Sequence, residues 1–148
     1  MNEMNGHDVE DLQPEMTAMF SKTITEADIV LFAGVSGDNN AVHTNEEFAA
    51  TTAFGGRIAH GMLTASVISA AIANRLPGPG TVYLGQQLNF RAPVRPGDTV
   101  HATVTVKTVD ALKARLTQKT VCRPTDNVVI DDHAHVLTPT PPRRTANA

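Results

Sequence analysis

The sequence contains no tryptophan, one tyrosine and one cysteine, Cys122. A lone cysteine excludes a disulfide within the chain, which suits a reducing, cytoplasmic setting. The shortage of aromatic rings leaves little on which nucleic-acid bases could stack. The 12 Lys and Arg residues are scattered and the net charge is −3, so no basic stripe exists to grip a phosphate backbone. No apolar run approaches the ~20 residues that cross a bilayer. The opening MNEMNGHDVEDLQPEM lacks the basic start and apolar middle of a secretion signal. Neither nucleic acid nor a membrane is an expected partner.

Hydrophobic residues make up 41% and charged residues 18% of the 148 positions, enough for one domain with a real core. The expected organisation is a flexible N-terminal segment over 1–15, a single domain over 16–138, and a flexible C-terminal tail over 139–148. The tail, PTPPRRTANA, is too rich in proline and polar residues to pack.

Within the domain, residues 17–24 (TAMFSKTI) read as a strand. Thr25 and Asp28 form a near capping box, and Ile29, Phe32 and Ala33 follow at helical spacing up to Gly37. Thr44 and Glu47 resemble a second capping box, for a helix that breaks at Gly55-Gly56. Residues 61–76, GMLTASVISAAIANRL, are small or apolar on almost every face and carry no acid, which predicts a buried central helix. The period then changes to two, and 81–91, 99–109, 112–123 and 128–137 read as consecutive strands. Pro96-Gly97-Asp98 is a turn and Asp110-Ala111 a tight link. The expected fold class is α+β, an antiparallel β-sheet wrapped around one long helix.

The stretch GDNNAVH, residues 37–43, places an acid and an imidazole five positions apart. Residues at that spacing point roughly 140° apart on a helix and to opposite faces of a strand. Asp38 and His43 therefore meet only if the backbone bends between them, and Gly37, Asn39 and Asn40 tolerate such a bend. Taken alone, the stretch is equally an ordinary turn ahead of a helix. His133 and His135 share a strand face behind two acids, but two ligands without a third make a weak metal site, and no metal is expected.

GDNNAVH, followed by ATTAFGGRIAHGMLTASVISAAI and LPGPGTVYLGQQLNFRAPVRPGD, resembles the MaoC-like (R)-specific enoyl-CoA hydratases over residues 21–136. Gly37, Asp38, Asn40, Val42 and His43 fit that family's G-D-x-N-P-[LIV]-H pattern, and His60-Gly61-Met62 opens the following helix. Ala41 and Arg57 stand where the family usually has proline. The resemblance implies a hot-dog fold, a homodimer with sites at the interface, and an acyl-CoA substrate. The implied reaction is reversible hydration of trans-2-enoyl-CoA to (R)-3-hydroxyacyl-CoA, a hydro-lyase activity needing no cofactor because CoA belongs to the substrate. In that reading Asp38 and His43 activate the water, and the Gly61 amide polarises the thioester carbonyl. Ser69 matches a serine associated with the site, and Asn40 shapes the loop by side-chain bonds to the backbone.

Other readings stand beside these. Gly61 can be a packing glycine, Ser69 can bond back to the carbonyl of Ala65, and His60 is as readily a packed residue as a functional one. Arg57, Arg75, Arg91 and Arg95 are candidates for the CoA phosphates. A hot-dog acyl-CoA thioesterase and a non-catalytic acyl-CoA-binding subunit are the rival functions. The absence of Asp and Glu from residues 61–76 weighs against hydrolysis, and retention of Asp38 with His43 weighs against an inert binder. Acyl chain length and the pathway served, polyester (polyhydroxyalkanoate) supply or fatty-acid metabolism, are left open.

Overall fold

Alternating burial organises the sheet. On β4 (Thr99–Asp110), Val100, Ala102, Val104 and Val106 are fully buried and the residues between them are not. β5 (Arg115–Arg123) and β6 (Ile130–Leu137) repeat this pattern. Antiparallel register sets Ala102 beside Cys122 beside Ile130, and Val106 beside Gln118 beside Ala134. One packed face is what such alternation requires. The structure is a computed structural model that describes residues 6–139; the expected flexible ends therefore lie partly outside the described residues, at 1–5 and 140–148.

β1 (Thr17–Thr23) pairs with β4, and the sheet runs β1–β4–β5–β6–β2. The strand expected over 81–91 is two pieces, β2 (Val82–Gln86) and β3 (Asn89–Phe90), both paired with β6. Only β4, β5 and β6 therefore form the simple meander read from the sequence. Period two identifies a strand but not its partner, and residues 91–98 return the chain from the β6 side of the sheet to β4.

Against the packed face lies the 14-residue helix α4 (Gly61–Asn74), which contacts β1, β4 and β5. Leu63, Thr64, Val67, Ile68, Ala71 and Ile72 form its buried stripe. This is the hot-dog arrangement of sheet around helix. Burial is not all-round, however: Met62 is 57% exposed and Ser69 is exposed, so the outer face of α4 is open within one chain.

Among the described residues three α-helices precede α4. α1 (Glu26–Ser36) starts at a complete capping box, with Asp28 N donating to Thr25 Oγ1 at 3.1 Å and Thr25 N donating to Asp28 Oδ2 at 2.9 Å. It ends at Gly37, whose φ of +79° suits a residue without a side chain. The second capping box is not used as expected. Asn40 caps a separate turn, α2 (Ala41–Thr44), which absorbs Thr44, and Asn45 then caps α3 (Glu46–Ala50) by accepting from Phe48 N at 3.0 Å.

The N-terminal segment is also tied down where it is described. Leu12 is 4% exposed within the core, Glu15 N donates to Val106 O at 2.9 Å, and Gly6 N donates to Pro79 O at 2.9 Å. An apolar anchor and backbone partners hold residues 6–15, which their polar composition concealed.

Candidate active site

The bend demanded by Asp38 and His43 is built from local hydrogen bonds. Gly37 turns the chain out of α1, and Asp38 Oδ1 then accepts from Asn40 N at 3.2 Å. Asn40 Oδ1 accepts from Val42 N at 3.1 Å and starts the single turn of α2, which carries His43. The Asn40 side chain thus makes a side-chain to backbone bond within this loop. The outcome is convergence: ligating atoms of Asp38, His43 and His60 all lie within 4.8 Å of one another. The carboxylate is exposed, whereas His43 is 8% and His60 1% exposed.

Both imidazoles have one nitrogen against a carbonyl. His43 Nδ1 lies 2.8 Å from Ile58 O, and His60 Nε2 lies 3.0 Å from Asp38 O. A carbonyl only accepts, so each of these nitrogens carries a proton and donates it. In a neutral His43 the lone pair is consequently on Nε2. The two rings stack at 4.0 Å between centroids, and Phe32 of α1 packs on His60 at 4.8 Å.

Beside this cluster is a cavity of about 340 Å³, in the size range of small-molecule pockets. Its walls are mainly apolar and include Phe54, Ile58, Gly61, Thr64, Phe90 and Ile130. Ile58 joins cavity to cluster, since it lines the one while its carbonyl holds His43 of the other. Gly61 opens α4 directly after His60. The His60 side chain does not cap that helix, so the first-turn N–H groups lack a side-chain partner from the capping position. A donor there, at the positive end of the helix, can meet a developing oxyanion. The packing reading of Gly61 also has support: a Cβ there would sit 2.7 Å from Phe90 Cε1.

Ser69 does not join this group. It is exposed on α4, two turns and about 12 Å of helix beyond Gly61, and no bond to Ala65 O is formed. Cys122 is buried in the sheet, where desolvation pushes its thiol up to about 12, away from nucleophilic use. His133 spends Nδ1 on the neighbouring Asp132, 3.0 Å away, and among the described residues only Asp38, His43 and His60 form a cluster of metal-ligating type. The role of Ile58 had no signal in the sequence because it acts through its backbone. His60 had one, its place in the His60-Gly61-Met62 motif.

Three of the four arginines considered for phosphate are engaged elsewhere. Arg91 Nε pairs with Asp131 at 3.2 Å, and Arg95 donates to the carbonyls of Phe54 and Gly56. Arg57 Nη1 donates to Glu26 at 2.8 Å and its Nε to Glu46 at 3.1 Å, linking the starts of α1 and α3 around the loop that carries Asp38. Hydrogen bonding to Arg57 holds the Glu26 carboxyl below its ordinary value. A depressed carboxylate stabilises the fold fully above the unfolded value of about 4.3 and ceases to do so as pH falls through the folded value. Because these pairs are solvent-screened, Arg57→Ala should cost no more than about 1 kcal/mol at pH 7. The gap in melting temperature between wild type and mutant should narrow below about pH 4. A gap that stays constant down to pH 3 would show that the ion pairs contribute nothing.

A profile of the MaoC like domain matches residues 10–129. Over 133 residues the chain is 51% identical to the (R)-specific enoyl-CoA hydratase of Rhodospirillum rubrum, covering 90% of this chain and 92% of that one. It is 48% identical to the 3-hydroxybutyryl-CoA dehydratase of Methylorubrum extorquens, covering 88% and 83%. The unliganded R-hydratase PhaJ1 from Pseudomonas aeruginosa matches with a TM-score of 0.86 at 41% identity, covering 93% of this chain and 89% of that one.

Proposed function

Because the chain belongs to the MaoC-like domain family, we propose that it is an (R)-specific enoyl-CoA hydratase, adding water reversibly to trans-2-enoyl-CoA to give (R)-3-hydroxyacyl-CoA. The observation that carries the reading is the convergence of Asp38 and His43 beside a cavity that reaches Gly61. A water between the two side chains donates one O–H to the Asp38 carboxylate and the other to His43 Nε2. Its oxygen lone pair is then free to attack C3 of the enoyl group. As the C3–O bond forms, one water proton passes to this pair and the C2–C3 double-bond electrons move toward the thioester oxygen. The Gly61 amide stabilises that charge until a proton reaches C2 on the same face. No metal or cofactor is required, and general acid–base catalysis of this kind contributes about 10²–10⁴ in rate.

The acyl-CoA enters the apolar cavity with its acyl chain. We assign the working form to a homodimer, supported by apolar surface that one chain leaves open. β2 lies at the end of the strand order, and its Val82, Tyr83 and Leu84 are exposed, as are Met62 and Phe90 near the start of α4. Uncovered apolar edges of this kind are a liability for a lone chain. Among the described residues no helix is long and apolar enough to cross a membrane, and a single buried thiol supports a reducing compartment.

The direct test incubates the protein with crotonyl-CoA, following the enoyl absorbance and free thiol together and resolving the product's stereochemistry. Loss of absorbance, no thiol and an (R)-3-hydroxyacyl product are expected. Stoichiometric thiol release would instead select the thioesterase reading, and no turnover at all would select the inert binder.

A further inference from the structure

His60 presents a puzzle that packing alone does not explain. It is 1% exposed, and its Nδ1 is buried without a hydrogen-bond partner among the described residues. A buried imidazole with an unpaired nitrogen is disfavoured relative to an apolar side chain of similar shape. It also occupies the capping position of α4 without capping it. What the ring does instead is donate from Nε2 to the backbone carbonyl of Asp38, 22 positions earlier, and stack on His43.

Those contacts fall on both members of the proposed catalytic pair. The Asp38 carboxylate is exposed, and its own side-chain bond, to Asn40 N, is local to the loop. Local bonds shape the loop but do not fix it relative to α4, where the oxyanion donor sits. Among hydrogen bonds of the described residues, that from His60 ties the Asp38 backbone directly to the start of α4. His60 itself does not line the cavity and is almost wholly buried, so it is not placed to touch substrate.

We propose that His60 is a positioning residue for the hydration step, its Nε2–H···O=C bond holding Asp38, and its ring stacked on His43, at a set distance from the Gly61 amide. This role rests on the hydratase reading above. The same backbone joins His60 to Gly61, so one residue references the water-holding groups and the oxyanion donor to each other. Misplacement of reacting groups by about 1 Å costs on the order of 10²-fold in rate.

Four proteins in the crotonyl-CoA assay, each with a thermal melt, test the role: wild type, His60→Phe, His60→Gln and His60→Asn. Phe keeps ring and volume but cannot donate. The Gln amide reaches the position of Nε2, while the Asn amide falls short of it. For His60→Phe and His60→Asn, kcat should fall about 10–100-fold with KM within about 3-fold, because the cavity is untouched. His60→Gln should recover kcat to within about 5-fold of wild type, in proportion to the restored bond. Should His60→Phe fail to fold, the Gln and Asn pair carries the same comparison. A His60→Phe or His60→Asn enzyme with wild-type kcat overturns the role, as does equal impairment of Gln and Asn at matched melting temperatures. Wild-type protein that hydrates nothing would sink the hydratase reading itself, and this role with it.

Discussion

Asp38→Asn and His43→Ala should each still fold at assay temperature yet lose hydration by about 10²–10⁴. Asn at position 38 keeps the Oδ1 acceptor for Asn40 N, so the loop survives while the negative charge that draws a proton from water is gone. His43→Ala removes the Nε2 acceptor and the tie to Ile58 O, leaving that carbonyl next to the cavity, where water can satisfy it. The loss should appear mainly in kcat, because neither side chain lines the cavity expected to take the acyl chain. Steady-state kinetics on crotonyl-CoA, with circular dichroism to check the fold, decide the matter. Either mutant working at near-full rate removes that residue from the mechanism.

Ile68→Ala should have the opposite profile. Ile68 is fully buried in the middle of α4, on the stripe facing the sheet. Truncating such a side chain loses transfer free energy and leaves a cavity, typically costing about 2–5 kcal/mol. Against a total stability of roughly 5–15 kcal/mol, that is a large fraction. At about 2–4 °C per kcal/mol for a chain of this size, the melting temperature should fall by roughly 5–15 °C. Well below the melt, kcat should stay near wild type, since Ile68 lies two turns from Gly61. Ser69→Ala, one position along but exposed, should change stability by no more than about 0.5 kcal/mol. Urea or thermal unfolding of the pair separates core from surface. A destabilisation below about 1 kcal/mol for Ile68→Ala would mean that α4 is not the core helix.

Several elements were legible because their causes are local. The capping box at Thr25 and Asp28 involves residues three apart, and the alternation of β4 lies within one strand, so both can be read along the chain. The bend between Asp38 and His43 is likewise made by Gly37, Asp38 and Asn40 themselves. Two elements differ from that reading. Thr44 loses its capping role to local competitors, Asn40 and Asn45, whereas the polar residues 6–15 are anchored by distant partners, through Leu12 in the core and the carbonyl of Val106.

By itself, then, the amino-acid order determined the helix and strand periods, the turn at 37–40 and the chemical types available for catalysis. Each depends on interactions spanning a few residues, where local hydrogen bonds and hydrophobic spacing suffice. The tertiary structure alone decided which strand neighbours β6, that Arg57 is spent on Glu26 and Glu46, and that His60 reaches back to the Asp38 carbonyl. Those contacts join residues 11 to 55 positions apart, and their geometry exists only after the hydrophobic face of α4 has collapsed onto the sheet.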